Sequence, residues 1–494
     1  MDSQESSKPV TRRDFFRHAS CAAVGTWALK STIRDLRLIN AAVAQTSMTG
    51  YKALVCLFLA GGNDSNNWIV PTDTATYNQY AGLRGILTLP KTSLLPLYST
   101  GSTLYTDADG HNYGFHPSCS ELQTLFNEDK LSITFNVGTL VRPTTREQYL
   151  SGLSFYRPPQ LFSHSDQVTQ WQTSVPDQPP TTGWGGRVAD LLNPTANPTG
   201  KVSMSVSLNG ANTFQIGNSI SQYHVSQTGA VTLAFPSDAA ASTRRARTAR
   251  MQNILGMNGA NLQRTAYAGV LDNAIETGDL LNANIAATAM STDTPPGTWV
   301  WNTPFPGTGL GSQLKMIARL IAARGPSGFD MRRQTFFCSV GGYDTHTSQV
   351  TFNADGSANP LTGTHTNLLG EISDCVFAFQ RAMEQLGVSN DVTLFSASDF
   401  SRTLPTNSQG SDHGWGGHHV VVGGAVRGGQ TYGELPTLVL NGPHDTGLGR
   451  WIPTTAVEQH AATLARWFGV DSSNLAAIFP NLSRFASSNL GFMG

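Results

Sequence analysis

The sequence predicts an α/β fold built on a mostly parallel central sheet with helices on both faces. Three observations carry that expectation. Continuous apolar runs at 52–60, 336–342 and 392–398 read as strands buried on both sides, as strands of parallel sheets are. Segments of helical pattern at 312–323, 365–386 and 455–468 alternate with them, and strand–helix alternation favours a parallel sheet. Each strand also runs straight into a carboxylate: Asp64 after Gly61-Gly62-Asn63, Asp344 after Gly341-Gly342-Tyr343, and Asp399 after Ser396-Ala397-Ser398. Ligands of open parallel sheets bind outside the carboxyl ends of the strands.

The N-terminus reads as an address. Thr11-Arg12-Arg13-Asp14-Phe15-Phe16-Arg17 has the form of a twin-arginine export signal, followed by a short apolar stretch at 19–29. Ala42-Val43-Ala44 then suits cleavage before Gln45, although Lys30, Arg34, Asp35 and Arg37 make the region before it long and polar. The alternative is an amphipathic helix that happens to contain two arginines. The export reading makes residues 1–44 a signal, the twin-arginine machinery a partner, and the protein periplasmic or secreted. Residues 45–494 then form one domain with a helical insertion at about 242–290.

Along that domain, 52–60 is the first strand and 73–110 is turn-rich, with Asp109-Gly110. A helix starts after Pro117 and runs from 118 to 125, and a strand follows at 131–137. Residues 156–186 are heavy in Pro and Gly, and 201–207 alternates polar and apolar like an edge strand. Residues 293–310 form a Pro/Gly loop, and a last strand lies at 419–423.

The composition excludes several classes of protein. The chain has 494 residues, 13% of them charged, a net charge of -1, 49 Gly and 25 Pro, which fits a loop-rich globular protein. No basic run extends beyond Arg244-Arg245, so the electrostatic footprint of a nucleic-acid partner is missing. No apolar run approaches the roughly 20 residues a transmembrane helix needs. Removal of the signal leaves Cys56, Cys119, Cys338 and Cys375, with no CxxC pair; Cys56 and Cys338 read as buried thiols, and one disulfide stays open.

The chemistry concentrates at the strand ends. Neighbouring strands lie roughly 5 Å apart, so carboxylates and imidazoles gathered there strain one another unless a cation or a proton holds them. Asp344 and His346 follow two glycines that permit a sharp turn. Asp412-His413-Gly414 lies in a loop rich in Gly, Ser and Trp that is costly to order without a ligand. His418 is a further ligand candidate, whereas His419 fits the core. Such a set suits zinc or manganese, or, where carboxylates dominate, magnesium or calcium. The bland readings are turn-capping aspartates and surface histidines. Ser163, at the start of a helical segment, would sit at the positive end of a helix dipole and is a candidate nucleophile, or an ordinary N-cap. Thr139 is a second candidate. Gly-x-Ser-x-Gly and P-loop motifs are absent.

These segments resemble a bacterial family of twin-arginine-exported proteins described as a domain of unknown function (the fifteen-oh-one type). The likeness rests on Gly341-Gly342-Tyr343-Asp344-Thr345-His346, Ser398-Asp399-Phe400-Ser401-Arg402-Thr403, Ser411-Asp412-His413-Gly414, Ser163-His164-Ser165-Asp166-Gln167 and Gly183-Trp184-Gly185-Gly186-Arg187. It spans about 50–435. The family in turn resembles the alkaline-phosphatase and sulfatase superfamily, which implies an alkaline-phosphatase-like three-layer sandwich. On that likeness Asp64 and Asp399 would help hold one divalent metal, and Asp344, His346 and His413 another, with Asp412 as a stand-in ligand and Ser163 as the attacking group. Two departures stand out: Phe400 follows Asp399 where the superfamily often has His, and the superfamily's Asp-x-x-x-His is shortened to Asp344-Thr345-His346. The function implied is hydrolysis of phosphate or sulfate esters on a small molecule or polymer. A non-catalytic secreted binding or assembly protein is the alternative, and a phosphomutase is a third reading.

Overall fold

The structure, a computed structural model, describes residues 48 and 50–494 apart from positions 100–101, 180, 198, 201, 231–240, 256–261, 289–301 and 326–327. The export-signal reading at 1–44 lies outside the described residues.

The apolar run at the start of the domain becomes the central strand β1 (Lys52–Leu59), buried from its second residue onward. In chain order the other strands of its sheet are β2 (Leu131–Gly138), β3 (Ser205–Ser207), β4 (Tyr223–His224), β5 (Arg333–Val340), β6 (Val392–Ser398), β7 (Gly417–Val422), β8 (Thr431–Tyr432) and β9 (Thr455–Ala456). They lie in the order β8-β2-β7-β6-β1-β5-β3-β4, with β9 also pairing to β2. All pairings are parallel except those of β7, which runs antiparallel to both β6 and β2. The alternating segment expected at an edge is β3, but β4 lies outside it, and Ser205 and Ser207 are buried.

Helices cover both faces. They are α1 (Thr74–Arg84), α2 (Ser120–Asn127), α3 (His164–Thr173), α4 (Trp184–Ala196), α5 (Gly309–Ala322), α6 (Thr364–Gln385) and α7 (Val457–Phe468). The group α2, α5 and α6 packs together on one side, and α3, α4 and α7 lie on the other. Successive strand residues point to opposite faces. Phe337 accordingly meets Phe214 on the α4 side at 6.4 Å, while Cys338 next to it faces Cys375 of α6. Two further helices, Ala241–Leu255 and Leu262–Ala287, lie in the segment between α4 and α5 that reads as helical.

One helix arises where the sequence suggests only turns, and another begins at the end of the Pro/Gly-heavy 156–186 stretch. Helix α1 is capped by Asp73, which accepts from Thr76 N at 2.9 Å, and it buries Tyr80 and Arg84. Helix α4 hides behind its glycines. A Cβ on Gly186 would lie 2.1 Å from the Ile216 carbonyl, so the glycine is what permits the close approach. Cys56, Cys119, Cys338 and Cys375 are all free and buried. Burial pushes the Cys375 thiol up to about 12.

Candidate metal centre

Strands β1, β5 and β6 end level with one another, because Leu59 pairs with Val340 on one side and Ser398 on the other. The turns that follow therefore leave the sheet side by side. Gly61 (φ 115°) and Gly62 (φ 80°) fold the first turn back, and a Cβ on Gly61 would lie 2.5 Å from Asp344 N. Asp399 Oδ1 accepts from Gly61 N at 3.0 Å, and Ser398 Oγ accepts from Asn63 N at 2.9 Å. The 399–416 loop turns back at an antiparallel bridge between Arg402 and His413. Strand β7 can then begin at the same sheet edge where β6 ends, which brings His413 to the strand ends. Helix α3 contacts β6 and starts with His164.

Four side-chain atoms converge there. His413 Nε2 lies 3.1 Å from His164 Nε2 and 2.9 Å from His346 Nε2. Asp344 Oδ1 lies 3.4 Å from His164 Nε2, 3.2 Å from His346 Nε2 and 3.4 Å from His413 Nε2. Each imidazole has its other nitrogen occupied. His164 Nδ1 faces Asp399 Oδ2 at 2.7 Å, His346 Nδ1 faces Asp412 Oδ1 at 2.9 Å, and His413 Nδ1 donates to the Phe162 carbonyl at 2.8 Å. A carbonyl only accepts, so neutral His413 carries its proton on Nδ1 and presents a bare Nε2 lone pair. The carboxylates impose the same tautomer on neutral His164 and His346. Three lone pairs and a carboxylate oxygen thus face one another. Ligands held about 2.1 Å from a tetrahedral ion are about 3.4 Å apart, close to the separations seen. The group His164, Asp344 and His413 has all three ligand atoms within 4.8 Å of one another.

The surroundings fix this set. The Phe400 ring lies 4.8 Å from the His164 ring and 4.7 Å from that of His413. Phe162 has φ 76°, unusual for a side chain of its size, and the residue so placed offers its carbonyl to His413. Fully buried Arg402 donates to the Gly62, Ser411 and Tyr343 carbonyls and to Asp344 Oδ1. Burial alone would raise the Asp344 carboxyl, but Arg402 outweighs it and holds it below its usual range. The hydrogen bond to Asp399 lifts His164 above an ordinary histidine despite burial. Burial, together with the charge of Arg402, keeps His413 below one. In Asp412, Asn407 and His346 overcome burial and lower the carboxyl. The Asp344 side chain is 50% exposed, so the cluster opens to solvent on that side.

The residues singled out in the sequence take three different places. Asp344, His346 and His413 meet. Asp399 and Asp412 stand behind them, each gripping the outer nitrogen of a histidine. Asp64 is elsewhere: fully buried, its Oδ2 bonds to Arg84 and Gln349, none of them cluster residues. Its partner comes from α1, the helix that the turn-rich reading of that segment hides. Ser163 Oγ donates to Asp166 Oδ2 at 2.6 Å. Thr139 Oγ1 donates to Gln167 Oε1 at 2.8 Å in the interior. His418 is a core histidine, accepting from Asn136 N at 3.2 Å and brought down to about 3 by burial. His164 and Arg402 are functional residues the sequence does not mark: His164 follows a helix-start serine that is the more conspicuous group, and Arg402 stands between Ser401 and Thr403 with nothing local to show that it reaches Asp344.

Residues 51–477 match the family described as Protein of unknown function (DUF1501). No curated protein matches the chain in sequence. Among solved structures, it is similar to Ps i-CgsB in complex with k-i-k-neocarrahexaose, at 8% identity over 88% of this chain and 77% of that one, with a TM-score of 0.33. It is also similar to the PsFucS1 sulfatase from Pseudoalteromonas sp., at 10% identity over 90% and 72% with a TM-score of 0.32. A third likeness is the C-terminal periplasmic domain of EcEptC from Escherichia coli in complex with Zn, at 12% identity over 77% and 74% with a TM-score of 0.29. Likenesses this distant transfer neither a site nor an activity.

Proposed function

The chain belongs to the DUF1501 family of proteins of unknown function, and from its histidine–aspartate centre we propose that it is an exported, metal-dependent hydrolase of phosphate or sulfate esters. One observation carries the reading: three imidazoles, each with its outer nitrogen engaged, aim the other at the same carboxylate oxygen. A proton on His164 relieves one of these contacts, whereas a divalent cation relieves them all. His164, His346, His413 and Asp344 would hold it, and Asp399 and Asp412 would orient the imidazoles from behind. A bound cation there would supply electrophilic stabilisation of the charge that builds on an ester's oxygens. In this reading Ser163 Oγ, one residue before His164, attacks the ester's phosphorus or sulfur as its proton passes to Asp166 Oδ2 at 2.6 Å; the bond to the ester's alcohol breaks, the alcohol leaves protonated, and water then releases phosphate or sulfate and restores the hydroxyl. Residues 1–44 act as the export signal, and 45–494 form a single domain with the 242–290 segment inserted.

The test is metal analysis of the purified mature protein, followed by an ester panel with wild type, Asp344→Ala and Ser163→Ala. Loss of metal and turnover in Asp344→Ala, with metal retained but turnover lost in Ser163→Ala, is the expected pattern. Equal turnover in wild type and Asp344→Ala rejects the centre. Unchanged turnover in Ser163→Ala reduces that serine to a helix cap. The non-catalytic alternative draws on Arg402, whose guanidinium already neutralises Asp344. Bound metal without hydrolysis of any ester would favour it.

A further inference from the structure

Two groups of arginines stand out among the described residues. Arg84, Arg187, Arg333 and Arg402 are buried, with their donors spread over several carbonyls and carboxylates. Arg142, Arg146, Arg157 and Arg450 differ: none forms an ion pair among the described residues. Arg450 Nε donates to the His413 carbonyl at 2.8 Å and its guanidinium lies 4.4 Å from the Phe162 ring centre, while its two amino groups make no hydrogen bond among the described residues. It is thus clamped beside the cluster through His413 itself and through Phe162, whose carbonyl positions the imidazole, with its fork unspent.

The other three lie on the 142–157 strap, which leads up to Phe162. Arg157 is pinned by Nε to the Tyr149 carbonyl at 2.6 Å and lies over the Tyr149 ring at 4.1 Å. Arg142 lies over Phe155 and Tyr156 at 5.0 and 5.9 Å. Arg146 bonds Asn441 Oδ1 at 2.9 Å, which ties the strap to the loop that carries Arg450. Tyr149 and Phe162 pack in one cluster with Trp415, so the strap and the centre are continuous. Glu147 is the acidic residue of the 142–157 stretch, set against its three guanidinia, while the charge of Arg450 is felt by Asp412. Leu150, Leu153 and Phe155 are exposed beside them.

We infer that Arg450 grips the oxyanion at the centre and that Arg142, Arg146 and Arg157 bind further anionic groups of the same molecule, a polysaccharide carrying phosphate or sulfate esters. Planar guanidinium forks match such oxyanions with two parallel hydrogen bonds. One ester group cannot use four guanidinia, so their spread along a strap calls for a ligand with repeated charges. Arg142 and Arg157 already lie over the strap's rings, so guanidinia rather than bare stacking rings are what the strap chiefly offers, unlike the aromatic platforms that bind single-stranded nucleic acid. The inference deepens the ester-hydrolase reading, but its test measures binding rather than turnover, so a protein without activity still answers it.

Calorimetry on the purified protein, with its metal content measured, would use inorganic phosphate, inorganic sulfate, dextran sulfate, phosphorylated dextran and single-stranded DNA. The expected result is binding of one or both single anions, and much tighter, salt-sensitive binding of the matching charged dextran. Phosphate against sulfate identifies the ester. Arg450→Gln should weaken the single anion roughly 10- to 100-fold, with Arg450→Lys in between, at unchanged metal content and melting temperature. The triple variant Arg142→Gln, Arg146→Gln, Arg157→Gln should keep single-anion affinity and lose the chain's advantage. Equal anion affinity in wild type, Arg450→Gln and Arg450→Lys overturns the role of Arg450. A charged dextran bound no better than one anion, or DNA bound as tightly as the dextran, overturns the polysaccharide.

Discussion

At the scale of single residues, Asp399 does two jobs with its two oxygens. Oδ1 takes the Gly61 amide and so ties the β1 turn to the β6 end, while Oδ2 takes His164 Nδ1. Losing such an outer partner typically costs a metal site about 10- to 100-fold in affinity. Asp399→Asn is expected to fall in that range in a competition titration, and an unchanged affinity would remove its supporting role. Because Asp399 lifts His164, the binding should also release a proton and strengthen as pH rises. Asp64 and Arg84 follow a different logic, since both side chains are wholly buried and ion-paired. Removing one partner of a buried pair leaves the other charge uncompensated, so Arg84→Met should lower unfolding free energy by about 3–5 kcal/mol in urea. A loss below about 1 kcal/mol would show that Asp64 takes up a proton instead. The nearness of Asp344, His346 and His413 was legible in the sequence because each sits within a few residues of a strand end. The distinction between a group inside the cluster and one behind it was not, since Asp344 and Asp399 look alike until one is seen facing lone pairs and the other facing Nδ1.

At the scale of elements, the apolar strands announced themselves by continuous burial, and α5, α6 and α7 by their period. What escaped were elements defined by their neighbours. Helix α1 has little amphipathic signal and exists around Tyr80 and Arg84, whose partners Asn67 and Asp64 precede the helix in another turn. Strand β7 reads correctly as a strand, but its reversed direction depends on the 399–416 excursion. Helix α7 carries a further oddity. Glu458 is buried with both carboxyl oxygens unpartnered, and burial lifts it to about 8. Its folded value thus exceeds its unfolded one. The protonated form is favoured in the native state, so the stability it contributes is complete below about pH 4.5 and is lost as pH climbs toward about 8. Glu458→Gln should therefore melt like wild type near the acid end of that window and higher than wild type above it. Parallel melting curves across the whole range would contradict a buried, unpaired carboxyl.

At the scale of the whole molecule, the centre joins the β1, β5 and β6 ends, the helix start at His164 and the loop before β7. A cation bound there cross-links parts of the chain far apart in sequence. Anything that binds only the folded state stabilises it by mass action, by about 2.7 kcal/mol at a hundredfold excess over Kd. Chelation is expected to lower the melting temperature, and restoring the right metal should raise it again in a concentration-dependent way. A melting temperature indifferent to chelator and metal would argue that Arg402 alone balances Asp344. The sheet around the centre has one more consequence. Cys56 and Cys338 lie in its strands, Cys119 and Cys375 lie against the helices beside it, and all four thiols are free and buried. A buried thiol meets no dissolved reagent, so the native mature protein should ignore a thiol reagent that labels the denatured form at all four positions.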